Sequence, residues 1–251
     1  MIKLGLCSVT FRRKSMEELV ELCSRVGLEG IEVGGDIHLP PGSPQAEVDK
    51  VAGLCRGAGI EIPSYGSYFN VLEHGAADFG PVLETAVRLG AGTIRIWPGW
   101  VEPEQMTQAQ LGTIASTARA AAAAAAEKGV RVAFEFHLNS PTSGAKSTLR
   151  LLEAAGHDNL YTYYQFLEPG DIKRNIDDLK AVFPRLANLH CHYYEGEVCK
   201  PLADGRKLWA AICSTLKELD YRGYIFMEFV KDDSPEQLAR DVALLRELVG
   251  R

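Results

Sequence analysis

The strongest constraint on this chain is an alternation that runs from end to end. Short apolar runs of strand character are each followed by a longer run of helix character, in eight units of roughly 30 residues, the size of a βα repeat. The strand-like runs lie at 3–9, 30–33, 60–65, 93–97, 130–137, 160–165, 186–193 and 224–229. Helices are expected at about 16–26, 45–56, 79–89, 109–128, 147–154, 172–182, 207–219 and 235–249. Ser15 is placed to cap the first helix, with Glu17 and Glu18 in its first turn and Gly27 at its end. The alanine run 120–126 is a good helix former suited to close packing on a sheet. Strands alternating with helices imply a parallel sheet.

Eight such units in 251 residues, with no linker or break in composition, favour a closed barrel over an open sheet. Neither a G-x-G-x-x-G after the first strand nor a P-loop is present, which removes the commonest nucleotide-binding versions of the open fold. The expectation is an α/β protein, a single-domain (β/α)8 TIM barrel over residues 1–251.

In such a barrel the active site lies at the C-terminal ends of the strands. The run Val-Ala-Phe-Glu-Phe-His at 132–137 puts Glu135 and His137 on one face and Phe134 and Phe136 on the other. A carboxylate and an imidazole inside an apolar strand cost several kcal/mol unless something pairs with them. Strand six ends in Gln165, strand seven carries His190 and His192 on one face, and strand eight carries Glu228. The alternation sends Ile225, Met227 and Phe229 to the opposite face from Glu228, and Cys191 outward to the helices. Glu135, Gln165, His190 and Glu228 converging from neighbouring strands make an oxygen/nitrogen donor set for one divalent cation.

These short motifs (AFEFH, YYQF, NLHCH and FMEFV), in order and each at a strand end, resemble the xylose isomerase-like TIM barrels across essentially the whole chain. That group includes sugar epimerases and isomerases, inosose and dehydroshikimate dehydratases and the type IV endonucleases. The resemblance implies Glu135, Gln165, His190 and Glu228 as metal ligands, with Mn, Mg, Co or Zn as the ion. It implies an isomerase or epimerase acting on a sugar, sugar phosphate or polyol by proton abstraction next to a carbonyl, through a metal-stabilised enediolate. Glu135 and Glu228 would be the base and acid. His137, His192, Arg95 and Trp97 would contact substrate, although either histidine could instead support the ligands from outside.

One departure stands out. Strand six offers Gln165 where the epimerases usually carry Asp, so the site has one charge fewer and weaker metal binding is expected; Gln165 could also serve only as a hydrogen-bonding group. A dehydratase acting through the same site is the alternative activity. A phosphodiesterase like the type IV endonucleases, or a barrel without catalysis, stands further off.

Several residues have two readings. Arg95 could bind substrate oxygens or hold Glu135, and Glu32 at the end of strand two is equally ambiguous. Trp97, Trp100, Tyr65, Phe69 and Tyr193 could wall a sugar site or simply pack. His38, His74, Lys200 and Lys231 lie in loops on the same face, whereas His157 falls on the opposite one.

A formal charge of −6 argues against a nucleic-acid partner. No apolar run reaches the roughly 18 residues of a membrane span. Six scattered cysteines without a CxxC pair suggest reduced thiols and a cytoplasmic setting. A homo-oligomer is compatible with all of this.

Overall fold

The computed structural model describes residues 1–250. Eight parallel strands close into a barrel: β1 (Lys3–Cys7), β2 (Gly30–Gly34), β3 (Glu61–Asn70), β4 (Thr93–Trp97), β5 (Arg131–Phe134), β6 (Leu160–Tyr164), β7 (Leu186–Cys191) and, after a small hairpin of β8 (Tyr194–Glu195) and β9 (Val198–Cys199), β10 (Tyr224–Met227). The order around the barrel is β1-β10-β7-β6-β5-β4-β3-β2. Helices α1 (Met16–Val26), α2 (Gln45–Gly57), α3 (Phe79–Leu89), α4 (Gln108–Ala126), α5 (Ala145–Ala155), α6 (Ile172–Val182), α7 (Arg206–Glu218) and α8 (Pro235–Val249) intervene between successive barrel strands and end the chain. Among the described residues, no helix is long and apolar enough to cross a membrane.

Local chemistry sets the helix ends. At α1 the Ser15 hydroxyl accepts from the Glu18 N–H and the Glu18 carboxylate accepts from the Ser15 N–H, so two orphan donors of the first turn are satisfied. Gly27 ends the helix at φ 71°, a left-handed geometry that glycine adopts without strain. Ser15→Ala is expected to cost about 1 kcal/mol of stability, read by denaturant unfolding.

The core has two layers. A large one lies between strands and helices, where Ala118, Ala121, Ala122 and Ala125 of α4 are all buried. A smaller one fills the barrel itself and includes Cys7, Ala133, Tyr163, Tyr224 and Phe226. Tyr224 and Phe226 stack with ring centroids 5.3 Å apart. They fit because Gly5 and Gly30 face them: a Cβ on either glycine would sit 2.6 Å from a ring carbon. The small residues of β1 and β2 thus make room for a large aromatic plug.

Three departures from the expected elements matter to the site. Strand β3 runs on to Asn70 because a register shift between Gly66 and Phe69, with Tyr68 at φ 57°, lets it resume pairing with β4. The loop after β7 contains the β8–β9 hairpin, whose turn places Gly196 at φ 59°. Phe229 does not continue the helix-facing phase of Met227. The strand ends at Met227, Phe229 takes φ 59°, and its ring turns to the mouth cavity. Thr10 fixes this bend, donating to the Met227 carbonyl and accepting from the Phe229 N–H.

Candidate active site at the barrel mouth

A cavity of about 490 Å³ opens at the C-terminal ends of the strands. Glu135, Gln165, His192 and Glu228 line it, with Trp97 and His137 beside them. His190 lies just beneath. Its Nδ1 is 3.2 Å from Glu228 Oε2 and 3.5 Å from Glu135 Oε1. Donor atoms of Glu135, His190 and Glu228 all fall within 4.8 Å of one another. His192 Nδ1 approaches Glu228 Oε2 at 3.6 Å.

The neighbours of these groups shift their protonation. Burial alone would lower the His190 pKa, but Glu228 and Glu32 outweigh it and hold the ring well above the ordinary imidazole value. Burial likewise opposes ionisation of Glu228, yet His190 and His192 hold it well below the usual carboxylate range. His137 goes the other way, its pKa lowered chiefly by burial. Its Nδ1 lies 2.6 Å from the Leu138 carbonyl, which can only accept. The proton therefore sits on Nδ1, leaving Nε2 as the acceptor of a neutral ring.

Arg95 is found behind the cavity wall rather than in it. It is 1 % exposed, its Nε lies 3.0 Å from Glu32 Oε1 and its Nη1 pairs with Glu135 Oε2. Tyr68 covers it from the cavity side, with the guanidinium 5.1 Å from the ring centroid. A Cβ at Gly66 would lie 2.7 Å from Arg95 Nη2, so only glycine leaves this ion pair its space. Of the two readings of Arg95, this geometry is the one that supports Glu135, since the guanidinium is already committed to two carboxylates.

The aromatic residues divide sharply. Trp97 lines the cavity and packs against His137 and Trp100, with Trp100 exposed at the rim. Tyr65 instead packs outward and donates to the Leu39 carbonyl, Phe69 lies between His74 and Phe79, and Tyr193 packs against Phe166. Tyr68, Phe166, Tyr194 and Phe229 take wall positions that the strand pattern did not reveal, since all but Phe166 follow bends or belong to the hairpin. His38 is held by Ser8 and the Lys14 carbonyl, and Lys200 pairs with Glu195.

The donor set suits a hard divalent cation. Gln165 Oε1 is buried with no hydrogen-bond partner, a condition that costs about 1–3 kcal/mol unless a donor or cation meets the oxygen. Arg95 is shared between Glu32 and Glu135, so the three carboxylates Glu32, Glu135 and Glu228 carry more negative charge than this one guanidinium offsets.

A sequence model described as xylose isomerase-like TIM barrel matches residues 20–248. The chain belongs to the xylose isomerase-like TIM barrel family. Among curated protein sequences none matches this chain. Solved structures share the fold over nearly the full length of both chains. The probable 3-DHS dehydratase AsbF from Bacillus anthracis superimposes with a TM-score of 0.83 at 19% identity, covering 97% of this chain and 98% of its own. The 3-keto-D-glucoside 4-epimerase YcjR from E. coli gives 0.76 at 15%, covering 98% and 100%. A family protein from Mycobacterium smegmatis in complex with magnesium gives 0.73 at 12%, covering 100% and 97%.

Proposed function

We propose that this chain is a metal-dependent isomerase or epimerase of a small sugar or polyol, working by proton transfer next to a carbonyl. The observation that carries this reading is the pair Glu135 and Glu228. They lie just past the ends of β5 and β10, strands separated by β6 and β7, yet each brings an oxygen within 3.5 Å of the same His190 nitrogen at the floor of one cavity.

Glu135, Gln165, His190 and Glu228 would hold the ion. A divalent cation bound there supplies Lewis-acid stabilisation of the negative charge that develops on substrate oxygens. Glu228, which lines the cavity and is kept ionised by two imidazoles, accepts the proton of the carbon beside the carbonyl. Glu135, oriented by Arg95, is the opposing acid: it enters turnover carrying a proton, gives that proton to the opposite face, and the pair is reset by proton exchange with solvent. Trp97 and its aromatic neighbours exclude water and offer flat surfaces to a sugar ring.

His137 favours a second reading. A neutral imidazole with Nε2 as its acceptor, at the cavity wall, can take a proton from carbon while His192, beside Glu228, protonates a departing hydroxyl. That is the chemistry of a dehydratase in the same site.

Metal analysis of the purified protein should find about one divalent ion per chain, and solvent deuterium should enter a ketose substrate at the carbon beside its carbonyl. No exchange across a broad panel of ketoses would defeat the epimerase reading. Loss of water from a cyclic substrate would select the dehydratase.

A further inference from the structure

Glu32 lies on β2, fully buried and outside the cavity lining. Five donors converge on it. Its Oε1 receives Arg95 Nε at 3.0 Å, His190 Nε2 at 3.2 Å and Cys7 Sγ at 3.4 Å. Its Oε2 receives Ser64 Oγ and Tyr163 OH, each at 2.7 Å. Asn188 donates to Tyr163 OH at 3.1 Å, which fixes that ring in turn.

The group Cys7, Glu32 and His190 has the spacing of a metal site, but it does not have the chemistry of one. Both Glu32 oxygens are already occupied by donors. The Cys7 thiol is itself one of those donors, its proton directed at Glu32 Oε1.

An ionised carboxylate only accepts hydrogen bonds. Both His190 nitrogens face carboxylates, Nε2 towards Glu32 and Nδ1 towards Glu135 and Glu228, so a cation held by Nδ1 would displace the proton there and leave Nε2–H donating to Glu32. The same carboxylate holds Arg95 by Nε, and Arg95 holds Glu135 by Nη1. We propose that Glu32 is a positioning residue that holds the proton on His190 Nε2, so that Nδ1 is the nitrogen offered to a cation, and that fixes the orientation of Glu135, and so tunes the affinity for a cation it does not itself contact. The metal arm of this proposal rests on the function proposed above. Carboxylates behind a ligating histidine raise its basicity and fix its ring, and removing one typically weakens metal binding about 10–100-fold.

The test begins with ¹⁵N-histidine spectra of the wild-type protein free of metal, assigned against His190→Gln. His190 should show an Nε2–H resonance protected from solvent exchange. An unprotonated Nε2 would overturn the proposal, whatever the metal does. Calorimetric titration with Mn²⁺ alone should then show Glu32→Gln binding about 10–100-fold more weakly than wild type. Tyr163→Phe, which keeps the charge and loosens the carboxylate, should show a smaller loss and serves where Glu32→Gln does not fold. Wild-type affinity in a folded Glu32→Gln, or in Tyr163→Phe if that is the variant available, would overturn the proposal. A wild type that shows the Nε2–H but takes up no Mn²⁺ defeats the proposed function instead. The positioning role is then decided by whether the His190 Nε2–H resonance is lost when Glu32 or Tyr163 is replaced.

Discussion

Glu228→Gln should reduce solvent-deuterium exchange into a ketose substrate by about 10³-fold, within the range of a lost acid–base group, while the fold stays intact. The amide keeps the shape of the carboxyl but neither accepts a proton at working pH nor offsets a cation. Stability should fall as well, though less than activity. The fold holds Glu228 well below the usual carboxylate range, so at neutral pH its charge is favoured by His190 and His192, and the amide gives up those attractions. Exchange rate and thermal midpoint, measured on the same sample, check both halves. Exchange at the wild-type rate would place the proton transfer on another group.

Arg95→Met should have the largest effect on stability. The guanidinium is the positive partner of Glu32 and of Glu135, and all three side chains are buried. Removing one member of a buried ionic group strands the others and costs about 3–5 kcal/mol, which for a chain of this size corresponds to a fall of roughly 10 °C in the thermal midpoint. The pH dependence gives a second handle. In the wild type Arg95 and His190 outweigh burial and depress the Glu32 pKa. That stability is present above the unfolded glutamate value of about 4.3 and is lost as pH falls toward the lower folded value. In the variant, burial of Glu32 is no longer opposed by Arg95, and protonating Glu32 relieves strain. The gap between wild type and variant should therefore be widest at pH 7 and should narrow toward pH 4, as read by urea unfolding at the two pH values.

The barrel was legible in the sequence because its signals are local. α3, α6 and α8 fall on the residues their patterning marks, and Ser15 and Gly27 bound α1 as their chemistry dictates. The candidate ligands were legible for a related reason: a polar side chain in an apolar strand, as at Glu135, His190 and Glu228, advertises itself. The partners of those side chains were not. Nothing in GIEVG says that Glu32 accepts from Tyr163, 131 residues away. Arg95 could be placed on the inner phase of β4, but its choice between substrate and carboxylate depends on Tyr68 and Gly66, which a bulge in β3 positions. Phe229 was misassigned because strict alternation assumes a strand that continues, whereas β10 stops two residues earlier.

The aromatic plug of Tyr224 and Phe226 closes the barrel beneath the site. With the lower end stoppered, the open approach to His190 is the cavity lined by Trp97, Tyr194 and Phe229. On the function proposed above, occupants would follow a last-in, first-out rule: an ion at the floor would arrive before the sugar above it and stay until that sugar departs.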